Sequence, residues 1–425
     1  MSNWPFRFVH ASDFHLEQPL AGVADVPEHL RELFLEAPYA AAARVFETAL
    51  TEQAAFLILS GDILHPLYAG PRGAMFLCEQ FQRLAQREIA VYWLGGMVDP
   101  PDQWPQSIAL PGNVHVFSRG RVDEFVHEHD STPIARLLGI SSDPNQVRCT
   151  HPTGQRLIRA GDFHADSGGL PTIAIAYGSA DPAALLARDI HYWALGGRHD
   201  RATPACTPHV IHYCGSPQGR RPEESAVHGC TLVQVDEKQQ FRTSLVPTDA
   251  VRWLGERILV DKDTIQADLE TRFRERIHSL CESAPNSHLL ITWTISGGGP
   301  LVKQLQCDRL AADLLDRLRA DYGFSSPSAW SLSINVEPAD RLPEEWYEQE
   351  TIRGDFLREI RRLQMNPEEP LELQAYISEA HQAGSLGAIA HLADANARGR
   401  VLIEAALLGA ALLGGDADET NEGRS

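Results

Sequence analysis

The chain of 425 residues has few lysines and no excess of positive charge. Lysine and arginine together number 37 against 57 aspartates and glutamates, and only Lys238, Lys262 and Lys303 are lysines. The formal net charge of −20 repels phosphate, which excludes a generally basic nucleic-acid-binding protein. A local basic patch or a bound metal ion would still offset this field. The skew towards arginine fits either genome base composition or recognition of phosphate and carboxylate groups.

Paired cysteines and long apolar segments are also missing. The seven cysteines are odd in number and form no Cys-x-x-Cys pair, which fits reduced thiols better than a disulfide framework or a zinc ribbon. The N-terminus shows no basic segment followed by a long apolar core, so we expect no signal peptide. The stretch from Val401 to Leu413 is too short to span a bilayer, and we expect it to form a buried helix. These features predict a cytoplasmic protein with no membrane segment.

Residues 1–250 alternate between strand-like and helix-like segments. Residues 39–54 and 73–88 have the composition of helices, and the continuous apolar run at residues 55–60 ends in Gly61-Asp62, as expected of a buried strand. Further strands are predicted at 7–11, 89–94, 172–177, 191–196, 210–215 and 231–236. The pattern predicts an α/β layered domain in which polar residues recur at the ends of strands.

The pattern changes after residue 250. The predicted elements there are strands at 257–260, 288–295 and 330–336 and helices at 264–280 and 308–321. This β-α-β-α-β order predicts a separate small α/β domain over residues 251–340. Residues 341–425 lack strand signals and are rich in Ala, Leu, Glu and Arg, which predicts a helical tail. Its last residues, 415–425, are acidic and are expected to be disordered.

Metal-ligating residue types follow several of these strands. Asp13 and His15 come after the first strand, Asp62 after the second, and His199 after the strand at 191–196. The carboxyl ends of successive strands in an open α/β sheet face one crevice, so these side chains are expected to converge. Two carboxylates and two imidazoles suit Mn, Fe or Zn. The segment Asp162-Phe163-His164 echoes the first motif, and we interpret it as a structural loop.

Five segments carry a resemblance to a known family. They are RFVHASDFHLEQPL (7–20), LILSGDILH (57–65), VYWLGGMVDPPDQW (91–104), YWALGGRH (192–199) and YCGSPQGRRPEE (213–224). Together they resemble the bacterial SbcD-type DNA-repair exonucleases of the calcineurin-like metallophosphoesterase superfamily, over about residues 6–340. The resemblance implies a layered β-sandwich metallophosphoesterase fold flanked by helices, with a small α/β cap domain and a helical C-terminal tail.

The resemblance also assigns metal ligands position by position. The family uses two metal ions to activate water against a phosphodiester. Its first-metal positions are all intact here: Asp13, His15, Asp62 and His199. Three of the seven ligand positions are replaced, and all three belong to the second metal: Met97, Tyr177 and Gly197. The position of the histidine that assists the leaving group is Val98. We therefore expect one divalent ion, with Mn favoured and Fe or Zn as alternatives.

Three functions remain open at this stage, and whether the chain is an enzyme is undecided. The favoured one is a protein of this lineage with lost or strongly reduced phosphodiesterase activity that acts in a DNA-end-processing assembly. The alternatives are an active single-metal DNA phosphodiesterase or exonuclease, and a phosphomonoesterase or cyclic-nucleotide phosphodiesterase. The expected partners are DNA ends and an SbcC-like coiled-coil ATPase, with no membrane and with a homodimer left open.

Two further sets of residues carry weaker hypotheses. Arg198, Arg220 and Arg221 are candidate phosphate contacts, although Arg198 fits an external ion pair and Glu223 and Glu224 could neutralise the other two. In the tail, residues 341–413 are expected to bind the ATPase through apolar helix faces. Those faces are formed by Phe356, Leu357, Ile360 and Leu363 and by Leu386, Ile389, Ala390 and Ala393. Packing of these faces onto the chain itself is the alternative.

Overall fold

The fold is described from a computed structural model. It describes residues 4–24, 26–105, 107–142, 157–164, 169–307, 309–337, 342, 344–367, 369, 371 and 395–413. The chain divides into two compact units. The first comprises 1–256, 273–293 and 312–334, and the second comprises 257–272, 294–311 and 335–425. The boundaries expected at residues 250 and 340 stay predictions.

The described residues contain fifteen strands. They are Phe6–Ala11 (β1), Phe56–Leu59 (β2), Ala90–Trp93 (β3), Val114–Val116 (β4), Asp123–His129 (β5), Thr132–Gly139 (β6), Thr172–Tyr177 (β7), Tyr192–Gly196 (β8), Ala202–Ala205 (β9), Val210–Tyr213 (β10), Gly229–Val235 (β11), Phe241–Pro247 (β12), Val251–Val260 (β13), His288–Gly297 (β14) and Ala329–Glu337 (β15). The apolar runs in the sequence therefore form strands where they were expected.

The helices of the described residues flank these strands. They are Glu28–Thr51 (α1), Pro66–Ala85 (α2), Pro182–Leu186 (α3), Gln266–Ser283 (α4), Pro300–Cys307 (α5), Leu310–Tyr322 (α6), Glu344–Glu348 (α7), Ile352–Met365 (α8) and Ala395–Leu413 (α9). The first two begin earlier than predicted, because α1 continues through Pro38 and α2 contains Pro71 beside the non-helical Gly70. No helix of the described residues is long and apolar enough to cross a membrane.

Two six-stranded sheets form a sandwich in the first unit. Their strand orders are β12-β11-β1-β2-β3-β4 and β5-β6-β7-β8-β10-β9. One apolar core lies between them and joins Phe8 and Phe56 of the first sheet to Ile173 and Tyr192 of the second. The outer face of the first sheet packs on α1 and α2 through a second core that includes Phe46. The layered α/β fold predicted from the sequence is confirmed.

Parallel pairing explains why the polar strand ends meet. Strands β1, β2 and β3 run parallel to one another, as do β6, β7, β8 and β10. The carboxyl ends of these strands therefore lie together at one end of each sheet. Asp13, Asp62, Tyr177 and His199 all come just after, or at the end of, one of these strands. Hydrogen bonds from the Gly197 N–H to Asp13 Oδ2 at 3.1 Å and from the Tyr177 hydroxyl to Asp62 Oδ2 at 2.5 Å bring the two ends together.

Strands β13, β14 and β15 form a third sheet in that order. In the first unit, Trp253 and Trp330 of this sheet pack with Phe34 of α1. In the second unit, Leu357 and Ile360 of α8 are buried in a small core with α9.

Helices α8 and α9 of this unit approach closely because Gly409 of α9 faces the Phe356 ring of α8. A Cβ atom on Gly409 would lie 2.1 Å from the Phe356 ring, so only glycine fits there. The helical tail is confirmed. Residues 415–425 and the predicted face of Leu386, Ile389, Ala390 and Ala393 lie outside the described residues.

The expectation of a buried helix at Val401–Leu413 needs correction. The helix α9 is present, and Leu402, Ala406 and Ala410 are buried along one side of it. Leu408 and Leu412 are 63% and 73% exposed. Apart from Glu404 the segment is apolar in sequence, but only one of its faces is covered by described residues of its own unit.

Candidate metal centre

The loops after β1 and β2 hold two aspartates and a histidine in an unusual backbone conformation. Asp13, His15 and Asp62 have φ values of 56°, 44° and 55°, in the left-handed region that residues with side chains rarely adopt. The loops fix one another, because Asp13 N–H donates to Gly61 O at 2.9 Å and His15 N–H donates to Asp62 O at 3.1 Å. Strained residues of this kind concentrate at functional sites, and here the strain turns three polar side chains towards one point.

Three predicted ligands lie together. One ligand atom each from Asp13, His15 and His199 falls within 4.8 Å of the others. Asp13 Oδ1 and His15 Nε2 are buried and have no hydrogen-bond partner among the described residues. Buried polar atoms are nearly always paired, so two orphaned atoms side by side call for a ligand. A carboxylate and neutral imidazoles fit a divalent metal ion.

Asp13 is held in place by its second oxygen. Asp13 Oδ2 accepts from Ser12 Oγ at 2.5 Å and from the Gly197 N–H at 3.1 Å. Burial and, next, repulsion from Asp62 raise the pKa of Asp13. A bound cation would relieve both effects, because it favours the charged form of a carboxyl group.

Asp62 lies beside this group but is occupied by the protein itself. Its Oδ1 accepts from the backbone N–H groups of Met97 and Val98 at 2.7 and 3.0 Å. Its Oδ2 accepts from the Tyr177 hydroxyl at 2.5 Å and lies 3.7 Å from His15 Nε2. Both carboxylate oxygens therefore have donors, and only Oδ2 faces the predicted first-metal ligands.

The Tyr177 ring occupies the space next to Asp62. Cβ atoms built on Gly61, Gly96 and Gly197 would lie 2.7, 2.9 and 3.0 Å from carbons of this ring. Burial, then the charges of Asp62 and Asp13, raise the pKa of the Tyr177 phenol far above its usual range. The phenol is therefore protonated and donates its hydrogen to Asp62. Three glycines make room for the ring.

Asp99 organises the loop that carries Met97 and Val98. Its Oδ1 accepts from the N–H groups of Asp62 and Gly96 at 2.8 and 2.7 Å. Its Oδ2 accepts from the Ile63 N–H and the Trp93 indole at 3.1 and 2.9 Å. Burial and the charge of Asp62 raise the pKa of Asp99 to about 8, against these hydrogen bonds. With both oxygens engaged, Asp99 is a structural residue of the centre.

His199 is partly exposed and is contacted on two sides. Its Nδ1 lies 2.8 Å from Glu224 Oε1, and Nη2 of Arg220 lies 3.1 Å from Nδ1 and 3.0 Å from Nε2. Burial by itself would raise the pKa of Glu224, but the hydrogen bonds from His199 and from the Arg220 N–H outweigh it and lower that pKa to about 2. Glu224 is therefore a carboxylate at any ordinary pH.

The three arginines predicted to contact phosphate lie in different environments. Arg220 is 4% exposed and its Nη1 lies 3.4 Å from Asp13 O. Arg198 is exposed, with its guanidinium 6.0 Å from the Tyr213 ring centroid, and Arg221 is exposed as well. Burial lowers the pKa of Arg220, and the nearby charges of Glu224 and the site aspartates oppose that effect. Phosphate contact by these residues stays a prediction.

Sequence reasoning missed three acidic residues that support the centre. Glu17 lies 3.5 Å from His15 Nδ1 and accepts the His65 N–H at 2.9 Å, while Asp99 and Glu224 act as described above. Glu17 is two residues from His15 and could have been found by its spacing. Glu224 is 25 positions from His199, and only the fold brings the two together.

Comparison with known proteins gives one distant match. No family model matches the chain. The uncharacterized metallophosphoesterase YhaO of Bacillus subtilis (strain 168) is 28% identical to it over 240 residues, which is 54% of this chain and 57% of that relative. The match therefore spans less than two thirds of the relative. The layered α/β architecture and the metal-ligating triad agree with a metallophosphoesterase fold that uses a divalent metal.

Proposed function

We propose that this protein belongs to the SbcD-type lineage of metallophosphoesterases, binds one divalent ion and has lost most or all phosphodiesterase activity. It would act in a DNA-end-processing assembly. The motifs at residues 7–20, 57–65 and 213–224 support the lineage, and the distant relative supports the metallophosphoesterase fold. Mn is the ion we expect.

The state of Asp62 carries this proposal. A carboxylate that bridges two metal ions, through one oxygen or through both, needs at least one oxygen that is not taken by a protein donor. Here Oδ1 accepts from two backbone N–H groups, and Oδ2 accepts from Tyr177. The Tyr177 ring also fills the space bounded by Gly61, Gly96 and Gly197. A second ion would have to displace both the ring and the hydrogen bonds.

The remaining ligands fit a single ion. Asp13 Oδ1, His15 Nε2 and a ring nitrogen of His199 would hold it, with Asp62 Oδ2 next to them. The ion would supply Lewis acidity towards a phosphate oxygen. The chain contributes little else to hydrolysis, because Val98 has no proton to give a leaving group. The Tyr177 proton is committed to Asp62.

A single-metal phosphodiesterase is the second candidate. The orphaned atoms Asp13 Oδ1 and His15 Nε2 favour it, because they preserve one half of the chemistry. Each missing transition-state contact costs ~10²–10³ in rate, so loss of one ion together with a proton donor would leave slow turnover at most.

Nuclease assays separate the two candidates. Wild type and Asp62→Ala would be loaded with Mn²⁺ and assayed on end-labelled duplex and single-stranded DNA. We expect no cleavage by wild type beyond that of the variant. Brisk wild-type cleavage that disappears in Asp62→Ala would overturn the proposed loss of activity, and one bound ion per chain would then establish the single-metal enzyme.

The tail is proposed to bind an SbcC-like coiled-coil ATPase. Leu357 and Ile360 are buried within the tail itself, so the face of α8 expected to dock is already covered. Ile352, Met365, Leu408 and Leu412 are each more than 60% exposed and become the candidate contacts. Docking through exposed apolar helix residues is a common recognition mode.

Co-purification tests this part of the proposal. The cognate ATPase would be captured with wild type, with Leu408→Asp/Leu412→Asp and with Leu259→Asp. The last variant is a control, because Leu259 is 70% exposed on β13. We expect the double variant to lose the ATPase and the control to retain it. Equal recovery by all three would show that α9 is not the docking element.

A further inference from the structure

Glu224 connects two residues of the metal centre through its two oxygens. Its Oε1 lies 2.8 Å from His199 Nδ1, and its Oε2 accepts the backbone N–H of Arg220 at 2.6 Å. Its own N–H donates to Arg221 O at 2.9 Å, which closes the turn that carries it. The side chain is only 16% exposed. Glu224 is therefore fixed from three directions.

The contact with Glu224 determines which nitrogen of His199 carries the hydrogen. A carboxylate only accepts hydrogen bonds, so Nδ1 carries a hydrogen, and Nε2 is the nitrogen that offers a lone pair in the metal-binding form of the ring. Among the nitrogens of His199, Nε2 is thus the one that can bind a metal.

Arg220 leaves this lone pair open. Its Nη2 is almost equidistant from the two ring nitrogens, at 3.1 and 3.0 Å. An atom so close to both cannot lie in the ring plane without overlapping ring carbons. The guanidinium therefore lies over the ring face, and the in-plane direction of Nε2 stays free. Its Nη1 is near Asp13 O at 3.4 Å, so the stacked group also contacts the loop of a second ligand.

We propose that Glu224 is a positioning residue of the metal centre that holds His199 in the Nδ1–H form with Nε2 directed at the ion. The inference rests on the proposed single-metal function. Metal-bound histidines usually donate their other ring N–H to a carboxylate or carbonyl, and loss of that acceptor typically lowers metal affinity 10–100-fold. A role as counter-ion of Arg220 alone would not require the contact between Oε1 and Nδ1.

The experiment compares Glu224→Ala and Glu224→Gln with Glu223→Ala in the full-length chain. Glu223 is the exposed neighbour and serves as the matched control. The first readout is the Mn²⁺ dissociation constant from titration calorimetry. We expect Glu224→Ala to raise it ~10–100-fold, Glu224→Gln to raise it less because the amide oxygen still accepts, and Glu223→Ala to leave it unchanged.

The second readout needs no metal. Ring ¹⁵N chemical shifts of metal-free protein, assigned with His199→Gln, should show Nδ1–H in wild type and in Glu223→Ala. Glu224→Ala should lose that preference. Unchanged shifts and an unchanged dissociation constant in Glu224→Ala would overturn the inference, as would an equal loss in Glu223→Ala. If wild type bound no Mn²⁺, the proposed function would fail and the ring shifts would still decide the role of Glu224. If Glu224→Ala failed to fold, Glu224→Gln would decide it by the same two readouts.

Discussion

The two halves of the metal centre differ in how their buried polar atoms are satisfied. Asp13 Oδ1 and His15 Nε2 have no hydrogen-bond partner among the described residues. On the other side, Asp62 accepts from two N–H groups and from Tyr177. An unpaired buried polar atom costs ~1–3 kcal/mol, so the first half retains a need for a cation. In the second half neutral donors satisfy the carboxylate, so its hydrogen bonds are complete without a cation.

The largest expected effect comes from rebuilding the second half. Met97→Asn, Val98→His, Tyr177→His and Gly197→His together should raise Mn²⁺-dependent DNA cleavage by at least ~10²-fold. Gly197→His alone should fail, because its Cβ would lie 3.0 Å from the Tyr177 ring, which the fourfold variant removes. Cleavage would be measured beside the same variant with Asp62→Ala added. No gain in the fourfold variant, in a protein that stays folded, would refute the proposed cause of a loss of activity.

Removing a ligand from the first half should have the next largest effect. Asp13→Asn keeps the shape of the side chain but removes its charge. We expect the Mn²⁺ dissociation constant to rise by more than the ~10–100-fold that is typical when a metal ligand loses its supporting partner. The control is Asp162→Asn in the exposed segment that echoes the first motif. Calorimetry would measure both. Equal weakening by the two substitutions would show that the ion does not bind at Asp13.

The position of the first half could be predicted from sequence because it depends on strand ends. Asp13, Asp62 and His199 follow buried apolar runs, and parallel pairing brings such ends together within each sheet. The contact of Gly197 with Asp13 joins the ends of the two sheets. For the second half, the sequence predicted only that the family's second-metal ligands are replaced at Met97, Tyr177 and Gly197. The hydrogen bond from the Met97 backbone N–H to Asp62 could not be predicted. The type of side chain at a position does not show where the backbone N–H of that residue points.

A third prediction compares two tyrosines at strand ends. Tyr177 donates to the Asp62 carboxylate at 2.5 Å, and Tyr213 donates to the neutral Gly178 carbonyl at 2.8 Å. Hydrogen bonds to charged groups are the stronger ones. Tyr177→Phe should lower the free energy of unfolding of the metal-free protein by ~1.5–3 kcal/mol, and Tyr213→Phe by ~0.5–1.5 kcal/mol. Urea unfolding would measure both. A smaller loss for Tyr177→Phe than for Tyr213→Phe would contradict the role given to Tyr177.

The smallest effect concerns a buried group of the sandwich that needs no ligand. Burial, and then the nearby His115 and His129, lower the pKa of His127 from its ordinary value of 6.5 to about 4. The unfolded chain takes up a proton near pH 6.5 and the folded chain does not. The contribution of neutral His127 to stability is therefore present above about pH 6.5 and is lost as pH falls towards about 4.

His127→Gln should remove this pH dependence. Between pH 7 and pH 5 wild type should lose ~1–2 kcal/mol more of its free energy of unfolding than the variant does. The exposed His129, substituted to Gln, is the control. If wild type and His127→Gln lost stability equally over this range, His127 would not be held neutral by its surroundings.

Helix boundaries show a second limit of the sequence. Pro38 lies inside α1, where the apolar face buries Leu30 and Phe34 ahead of it. In the same way, Gly70 and Pro71 made the sequence predict a later start for α2 than the observed start at Pro66. Local signals place a helix start at such residues, and tertiary packing of the preceding turns overrides them. The proposed role of Glu224 is likewise hidden from local signals in the sequence, because it depends on the contact with His199 that only the folded chain provides.

The number of divalent ions per chain tests the central claim most directly. Metal-free protein would be loaded with excess Mn²⁺, desalted and measured by native mass spectrometry and elemental analysis, with Asp13→Asn as the reference for the loss of the first site. The account predicts one ion per wild-type chain and none in Asp13→Asn. Two ions per wild-type chain, or an anomalous-scattering peak beside Met97 and Tyr177, would contradict it.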